Sequence, residues 1–507
     1  MNNIRFSLTI LSVFALLSAC NNEPGNNQNV KSLSRRANIF PDYTQVVIPV
    51  NSAPLNFRIK ETGDAYYVEL ISHKKQEKIV VKSNSCLIRI GIKLWHRFLE
   101  NNNADSVSYN IFVHKKDTGW VKFAPFTNYI SSDSIDEYVI YRLIGPVHVL
   151  WYEMGIYQRN LSSFKEKPIV LNRLLDHACV NCHNFWNHNA EKMVFHIRGI
   201  NKGTILSIDN QLKKLETKTK FTMSPAVYPA WHPNGKLIAF SVNRISQSFN
   251  NNATDPIEVL DKASDLIVYD IEKNEITTSE KISRSGRETY PTWTPDGKYL
   301  YFCYAPKFDP NIVVDSMRYS LMRIAFDAKT NTWGDPETVI DADIIKKSIT
   351  FPRFSPDGKY ILVTVADHGC FPIFLKSADL YLYDLQNNTF KPLEINSDNV
   401  DSYHSWSYNG KWIVFSSKRL DGFNTRLFIS HFNNGNFSKP FVIPQEDPEF
   451  YNLFLRNYNV PELVKGEINL SPLSIASVAK KESQQVLFDP NVNIDALSGA
   501  TKIVKDQ

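Results

Sequence analysis

The stretch YPTWTPDGKYLYFCY, residues 290–304, decides the fold. An aromatic segment ends on Trp293. Pro295, Asp296 and Gly297 then form a tight turn in which the glycine accepts a positive φ, and alternating apolar residues make a second strand. Three other stretches align with it: YPAWHPNGKLIAFSV at 228–242, FPRFSPDGKYILVTV at 351–365 and YHSWSYNGKWIVFSS at 403–417. Their aromatic anchors are Trp231, Phe354 and Trp406. Further strands follow in the same relative place, DLIVYDIEKNE after Ser264, SLMRIAFDAKTN from Ser320 and DLYLYDLQNNT after Ala378. Several strands repeating every 50 to 60 residues or so is the signature of a β-propeller. A weaker unit, MVFHIRG with TILSID and LKKLETK, precedes the four, so five blades are visible. A sixth is expected from the flanking segments.

Upstream, residues 40–164 are dominated by short alternating segments such as AYYVELI, KIVVK and SYNIFVH, interrupted by one helical stretch, KLWHRFLENN. This predicts a β-sandwich-like domain. The expected fold class is therefore mainly β, an N-terminal sandwich-like domain followed by a five- to six-bladed propeller. The expected divisions are 1–19 leader, 20–38 polar tether, 39–165 β-rich domain, 166–190 attachment segment, 191–447 propeller and 448–507 C-terminal extension.

Between the two domains stands Cys179-Val180-Asn181-Cys182-His183. C-x-x-C-H is the attachment pattern of a c-type haem: each thiol forms a thioether to a vinyl group, and the adjacent histidine offers a neutral ring nitrogen to the iron. A thioredoxin-type dithiol would need a βαβ context that this segment lacks, and a zinc site would need a second ligand pair. Of His177, His188, Met193 and His196, His196 is the expected distal ligand, with Met193 on the opposite strand face as one alternative and a hydrogen-bonded interior role for His196 as another. Arg198 shares the face of His196 and is expected at a haem propionate. His232, His368 and His404 read as structural. The dense aromatics of segment 135–161, which leads into the motif, read as ordinary core packing, with the walls of a haem pocket as the alternative.

Residues 1–19 carry one charge, Arg5, before an apolar run, as a secretory leader does. They end in Leu17-Ser18-Ala19-Cys20, which resembles the lipobox of bacterial lipoproteins. That resemblance implies acylation of Cys20, a membrane lipid anchor and a cell-envelope location, with the outer membrane favoured because Asn21 follows. Of six cysteines, Cys86, Cys303 and Cys370 remain outside these motifs, the last two reading as buried thiols. Net charge is only +5 on 507 residues and no basic block occurs, which excludes nucleic acid as a partner on this evidence.

The repeats resemble the TolB-type, WD-repeat-like β-propellers over about residues 190–447. The whole order of lipobox, β-rich domain, CVNCH and blades is similar to haem-bearing propeller lipoproteins of Bacteroidota. Near the C-terminus, Asp495-Ala496-Leu497-Ser498-Gly499-Ala500-Thr501 resembles the D-x-x-S-G-A-T sequence of flavin-bearing subunits of Na⁺-translocating NADH:quinone reductase. This resemblance implies FMN joined through its phosphate to Thr501, although the surrounding domain of that family is not recognisable here. Together these expectations describe a lipid-anchored electron-transfer protein with a redox partner at the propeller rim. The alternative is a binding or scaffold lipoprotein for an envelope protein, with haem as staple or sensor. A haem enzyme is a third class, for which no distal acid–base set is visible.

Overall fold

The computed structural model describes residues 24, 30–145, 153–249, 255, 257–309, 311 and 314–499. Cys20, Thr501 and the leader lie outside these residues. Strands dominate, and the antiparallel hairpins read from the repeats are all present.

Each YPTW-type segment is the first and innermost strand of a four-stranded antiparallel blade. The turn at Gly297 has φ 72° and those at Gly235, Gly358 and Gly410 have 69°, 70° and 66°, so glycine is required there. The four legible blades start at Val227–Trp231, Arg287–Trp293, Ser348–Phe354 and Asp401–Trp406. A fifth runs Cys179–Phe185, Lys192–Arg198, Gly203–Ile208 and Gln211–Glu216. The sixth is assembled from two distant segments: Asn457–Val464 pairs with Tyr138–Ile144, which continues to Gly155–Asn160 and Glu166–Leu171. The six inner strands touch in a closed ring, with Asn457–Val464 contacting both Cys179–Phe185 and Asp401–Trp406. The protein is thus a six-bladed β-propeller closed by its own late segment. We number the blades in ring order, with blade 1 the composite, blade 2 the one that begins with the CVNCH strand, and blades 3–6 the legible repeats.

Three divisions read from the sequence need correction. Residues 138–165 belong to blade 1 and not to the N-terminal domain. The expected attachment segment 166–190 is no connector: Glu166–Leu171 is the outer strand of blade 1 and CVNCH begins the inner strand of blade 2. Residues 457–464, expected in the C-terminal extension, are the inner strand of blade 1. The propeller therefore spans 138–464. These errors have the same origin, because local alternation identifies a strand but not the sheet it joins.

The N-terminal domain packs a seven-stranded sheet centred on Ser106–Lys115 against a three-stranded sheet of Ile39–Phe40, Phe57–Ile59 and Leu87–Ile88. Phe57 and Tyr109 meet across the two sheets, with ring centroids 6.5 Å apart. The helix Ile92–Asn101 buries Trp95, Phe98 and Leu99 on the face expected from its periodicity. This domain is fixed to blade 6. The Trp412 indole donates to the Asp133 carbonyl at 3.2 Å, and Tyr408 N donates to Asp136 at 2.8 Å.

Beyond blade 1 the C-terminal extension is a strap. Gln484–Gln485 adds to the outer edge of blade 2 and Leu487–Phe488 to that of blade 3. Gly499 N then donates to the Ser283 carbonyl at 3.0 Å.

Candidate functional site: the axial cavity

Five of the six inner strands carry a non-glycine residue in the left-handed region at one equivalent place: Cys182 (φ 56°), Tyr228 (49°), Tyr290 (52°), Phe351 (54°) and Val460 (49°). The strand register shifts at each of these places, and also at Tyr403 in blade 6. A bulge of this kind turns one side chain out of the pleat and re-aims it. Here all six are aimed into one cavity on the propeller axis. Cys-His-Asn-Phe at 182–185 is therefore blade 2's version of Tyr-Pro-Ala-Trp, with a thiol and an imidazole where blades 3 and 4 have Tyr and Pro.

The cavity encloses about 1190 Å³ of space, counted to its open mouth, and is mainly apolar. Four rings form an arc through blades 3 to 6: Tyr228 to Tyr290 at 4.5 Å between centroids, Tyr290 to Phe351 at 6.0 Å and Phe351 to Tyr403 at 4.9 Å. Cys179, Cys182 and His183 lie in the wall beyond the end of the arc. The roof comes from the long blade 3 hairpin, through Ile245, Gln247 and Val259, and from the blade 5 connection, through Phe371, Ile373 and Phe374. Asp255 Oδ1 joins the two by accepting from Lys376 N at 2.7 Å.

Within this wall the polar atoms are conspicuously unsatisfied. His183 is buried, and neither ring nitrogen makes a hydrogen bond. Burial, reinforced by the positive charge of Arg142, holds its pKa down at about 3, so the ring is neutral. The Ile140 and Val460 carbonyls oppose the shift but are not in hydrogen-bonding geometry to the ring. Asn181 Oδ1 is likewise buried without a partner. Burial raises the Cys182 thiol above its ordinary pKa, against the pull of Arg198 and Arg142. Both motif cysteines are free thiols.

Arg142 and Arg198 line the cavity, and among the described residues neither is paired with a carboxylate; no Asp or Glu lines it at all. Arg353, the third arginine, is engaged by Glu462 at 2.8 Å. A largely apolar cavity holding two unpaired cations and an unpartnered imidazole is incomplete as a protein interior.

The other sequence-derived positions fall as follows. Arg198 lines the cavity, whereas His196 and Met193 do not. His196 sits on the second strand of blade 2, one removed from the axis, with Nδ1 3.3 Å from Thr204 Oγ1, and Met193 is in the core on the opposite face. His232 and His404 bind backbone carbonyls of Gly297 and Leu362 at 3.0 and 2.9 Å. Cys303 and Cys370 are buried thiols. Arg142 and Met154 are among the cavity residues that escaped the sequence reading, though both lie in the aromatic segment 135–161 singled out there. Met154 Sδ accepts from Val180 N at 3.3 Å. Among the described residues no three His, Cys, Asp or Glu side chains converge as metal ligands. No described helix is long and apolar enough to cross a membrane.

No family model matches the chain, and no curated relative does. Among solved structures it is similar to a prolyl endopeptidase, at 19% identity over 53% of this chain with a TM-score of 0.34. It is also similar to the β-propeller domain of the Trilobed protease from Pyrococcus furiosus (16% identity, 51% of this chain and 70% of that one, TM-score 0.29). A puromycin-hydrolysing peptidase of Mycobacterium tuberculosis gives 11% identity, 67% and 52% coverage and a TM-score of 0.35. The chain spans 36% of the endopeptidase's length. These likenesses concern the propeller fold and nothing of the site.

Proposed function

We propose that the protein is a c-type haem redox protein of the cell envelope, anchored by lipid on Cys20, in which the propeller cavity holds the haem. One observation carries the reading: Cys179, Cys182 and His183 share the wall of a single axial cavity, where His183 is neutral and unpartnered and Arg142 and Arg198 have no acidic partner.

The residues suit the group. Cys179 and Cys182 would hold it by two thioethers, His183 would offer a ring nitrogen, and Arg142 and Arg198 would face its two carboxylates. Once bound, haem supplies one-electron chemistry at a potential set by ligation and surroundings. The chain's part is to exclude water with the Tyr228–Tyr403 arc and the roof, to keep His183 deprotonated, and to set the local charge with the two arginines. A cation near the iron favours the less positive, reduced state, so Arg142→Gln lowers the midpoint potential. The tail resemblance adds FMN on Thr501 as a second redox group, which Thr501→Ala would abolish.

Intact mass of the mature protein from its own host tests the reading. Added mass for lipid and one haem supports it, whereas a chain without haem mass refutes it and leaves an anchored binding propeller. FMN mass is read in the same spectrum.

A further inference from the structure

Within each blade successive strands are antiparallel. The second-to-third-strand connections and the blade-to-blade connections therefore all emerge at one end of the propeller. The cavity lies beneath that end, since its roof is built from two of these connections. Of the six most exposed large apolar side chains among the described residues, five lie there: Leu453 (85% exposed), Phe423 (81%), Ile344 (79%), Ile200 and Leu455. The sixth, Leu473, is on the helix Pro472–Ala479 beside blades 1 and 2. The five stand on four separate loops, Leu453 and Leu455 sharing the connection from blade 6 to blade 1, and not in one contiguous patch.

Several of these loops are held rigid. Asp421 Oδ1 accepts from Phe423 N and Asn424 N at 2.8 and 2.7 Å, fixing the Phe423 tip. Asp341 caps Asp343 N at 2.8 Å at the start of the helix carrying Ile344. The same end also has a groove beside the blade 3 hairpin, lined by Arg244, Lys262, Arg287 and Lys307 and by no carboxylate. Arg287 is oriented there by the Pro306 and Asp261 carbonyls at 2.8 and 3.0 Å.

Separated apolar tips at one end, with a basic recess beside them, suit a fluid lipid surface better than a shaped protein partner. Each tip can enter the interface independently, and the recess takes a phosphate. We propose that the cavity-bearing end of the propeller docks on an anionic bilayer, with the loop tips inserted and the Arg244–Lys307 groove on a lipid headgroup. This does not rest on the haem reading. Asp341, Asp343, Asp421 and Glu446 stand at the same end, so apolar insertion carries the binding and salt weakens it only moderately.

The test uses the mature chain with Cys20→Ser and Cys86→Ser, so that no acyl anchor holds it to the vesicle, carrying an environment-sensitive fluorophore at Phe423→Cys or Leu453→Cys. Tyr408→Cys, at the opposite end of the propeller, is the control, and the parent without an introduced cysteine gives the background. Vesicles are phosphatidylethanolamine with or without phosphatidylglycerol. The labels at 423 and 453 are expected to shift to the blue and become shielded from an aqueous quencher, while that at 408 stays aqueous. In the labelled chain, Leu455→Glu should reduce vesicle partition about tenfold, and Lys262→Gln with Lys307→Gln about fivefold. Labels at 423 and 453 that remain aqueous, or a label at 408 that inserts first, overturn the proposal. Equal insertion without phosphatidylglycerol overturns the headgroup assignment of the groove.

Discussion

Replacing Cys182 by tyrosine should cost the fold almost nothing while removing the cofactor. Cys182 occupies the bulge position at φ 56°, and Tyr228 and Tyr290 hold the same place at 49° and 52°. The left-handed conformation costs a non-glycine residue about 1–2 kcal/mol, and Cys182 already bears it, so the exchange adds no backbone strain. The new ring is aimed into the axial cavity beside Tyr228, as the other bulge residues are, and not into packed core, which reduces the usual penalty for overpacking. Burying its apolar edge offsets the cost of placing another hydroxyl there, and the net change should stay within about 1 kcal/mol. For a propeller of this size that is a melting shift of about 2 °C or less. The reference must be a haem-free chain, Cys179→Ser with Cys182→Ser, because a group bound only by the native state would stabilise the parent. Thermal melts by circular dichroism read the fold, and intact mass reads attachment. Cys182→Tyr that melts with the reference and carries no haem mass fits the reasoning. A variant that fails to fold would show that the blade 2 position is not equivalent to those of blades 3 and 4. Retention of the full haem mass would refute the role of Cys182.

Three further outcomes are expected. His404 and His196 are both held near a pKa of 3, chiefly by burial, whereas an unfolded histidine titrates near 6.5. Below about 6.5 the unfolded chain binds more protons, so stability is fully present above that pH and declines as pH falls toward 3; His404→Gln should flatten the slope of melting temperature on pH in that window. Leu463, 1% exposed on the strand that closes the ring, should cost about 2–5 kcal/mol when cut to alanine, read as a lower urea midpoint. An added Cβ at Gly499 would lie 2.3 Å from Asp265 Oδ1 and 2.8 Å from the Arg284 carbonyl, so Gly499→Ala should lift the strap, with faster hydrogen exchange at Leu497 and an unchanged global melt.

The legible part of the fold was the part written in local chemistry. Turns at Gly235, Gly297, Gly358 and Gly410 share Asn/Asp-Gly sequences and the same φ, so four blades stood out. Blade 2 was hard to see because its inner strand exchanges the aromatic and proline of the repeat for Cys182 and His183. The residues that make the site distinctive are the ones that hide its architecture. Blade 1 had no local signal, since Tyr138–Ile144 finds its partner more than 300 residues later, at Asn457–Val464. The site was legible as a motif and as one arginine. Arg198 was placed on the correct strand face, but alternation along that strand could not show that His196 stands too far from the axis. Arg142 and Met154 reach the cavity only through the ring's closure.

That closure sets an order of events. Asn459 and Val460 are wall residues of the cavity as well as part of the last strand to join the ring. A nascent chain that has delivered blades 2 to 6 and the three outer strands of blade 1 still has a gap where that blade's inner strand should be, and through it the thiols face solvent. Only arrival of residues 457–464 turns an open crescent into a container. Interrupted or truncated chains would present the motif without the chamber, so enclosure itself acts as a completeness check on whatever the cavity receives.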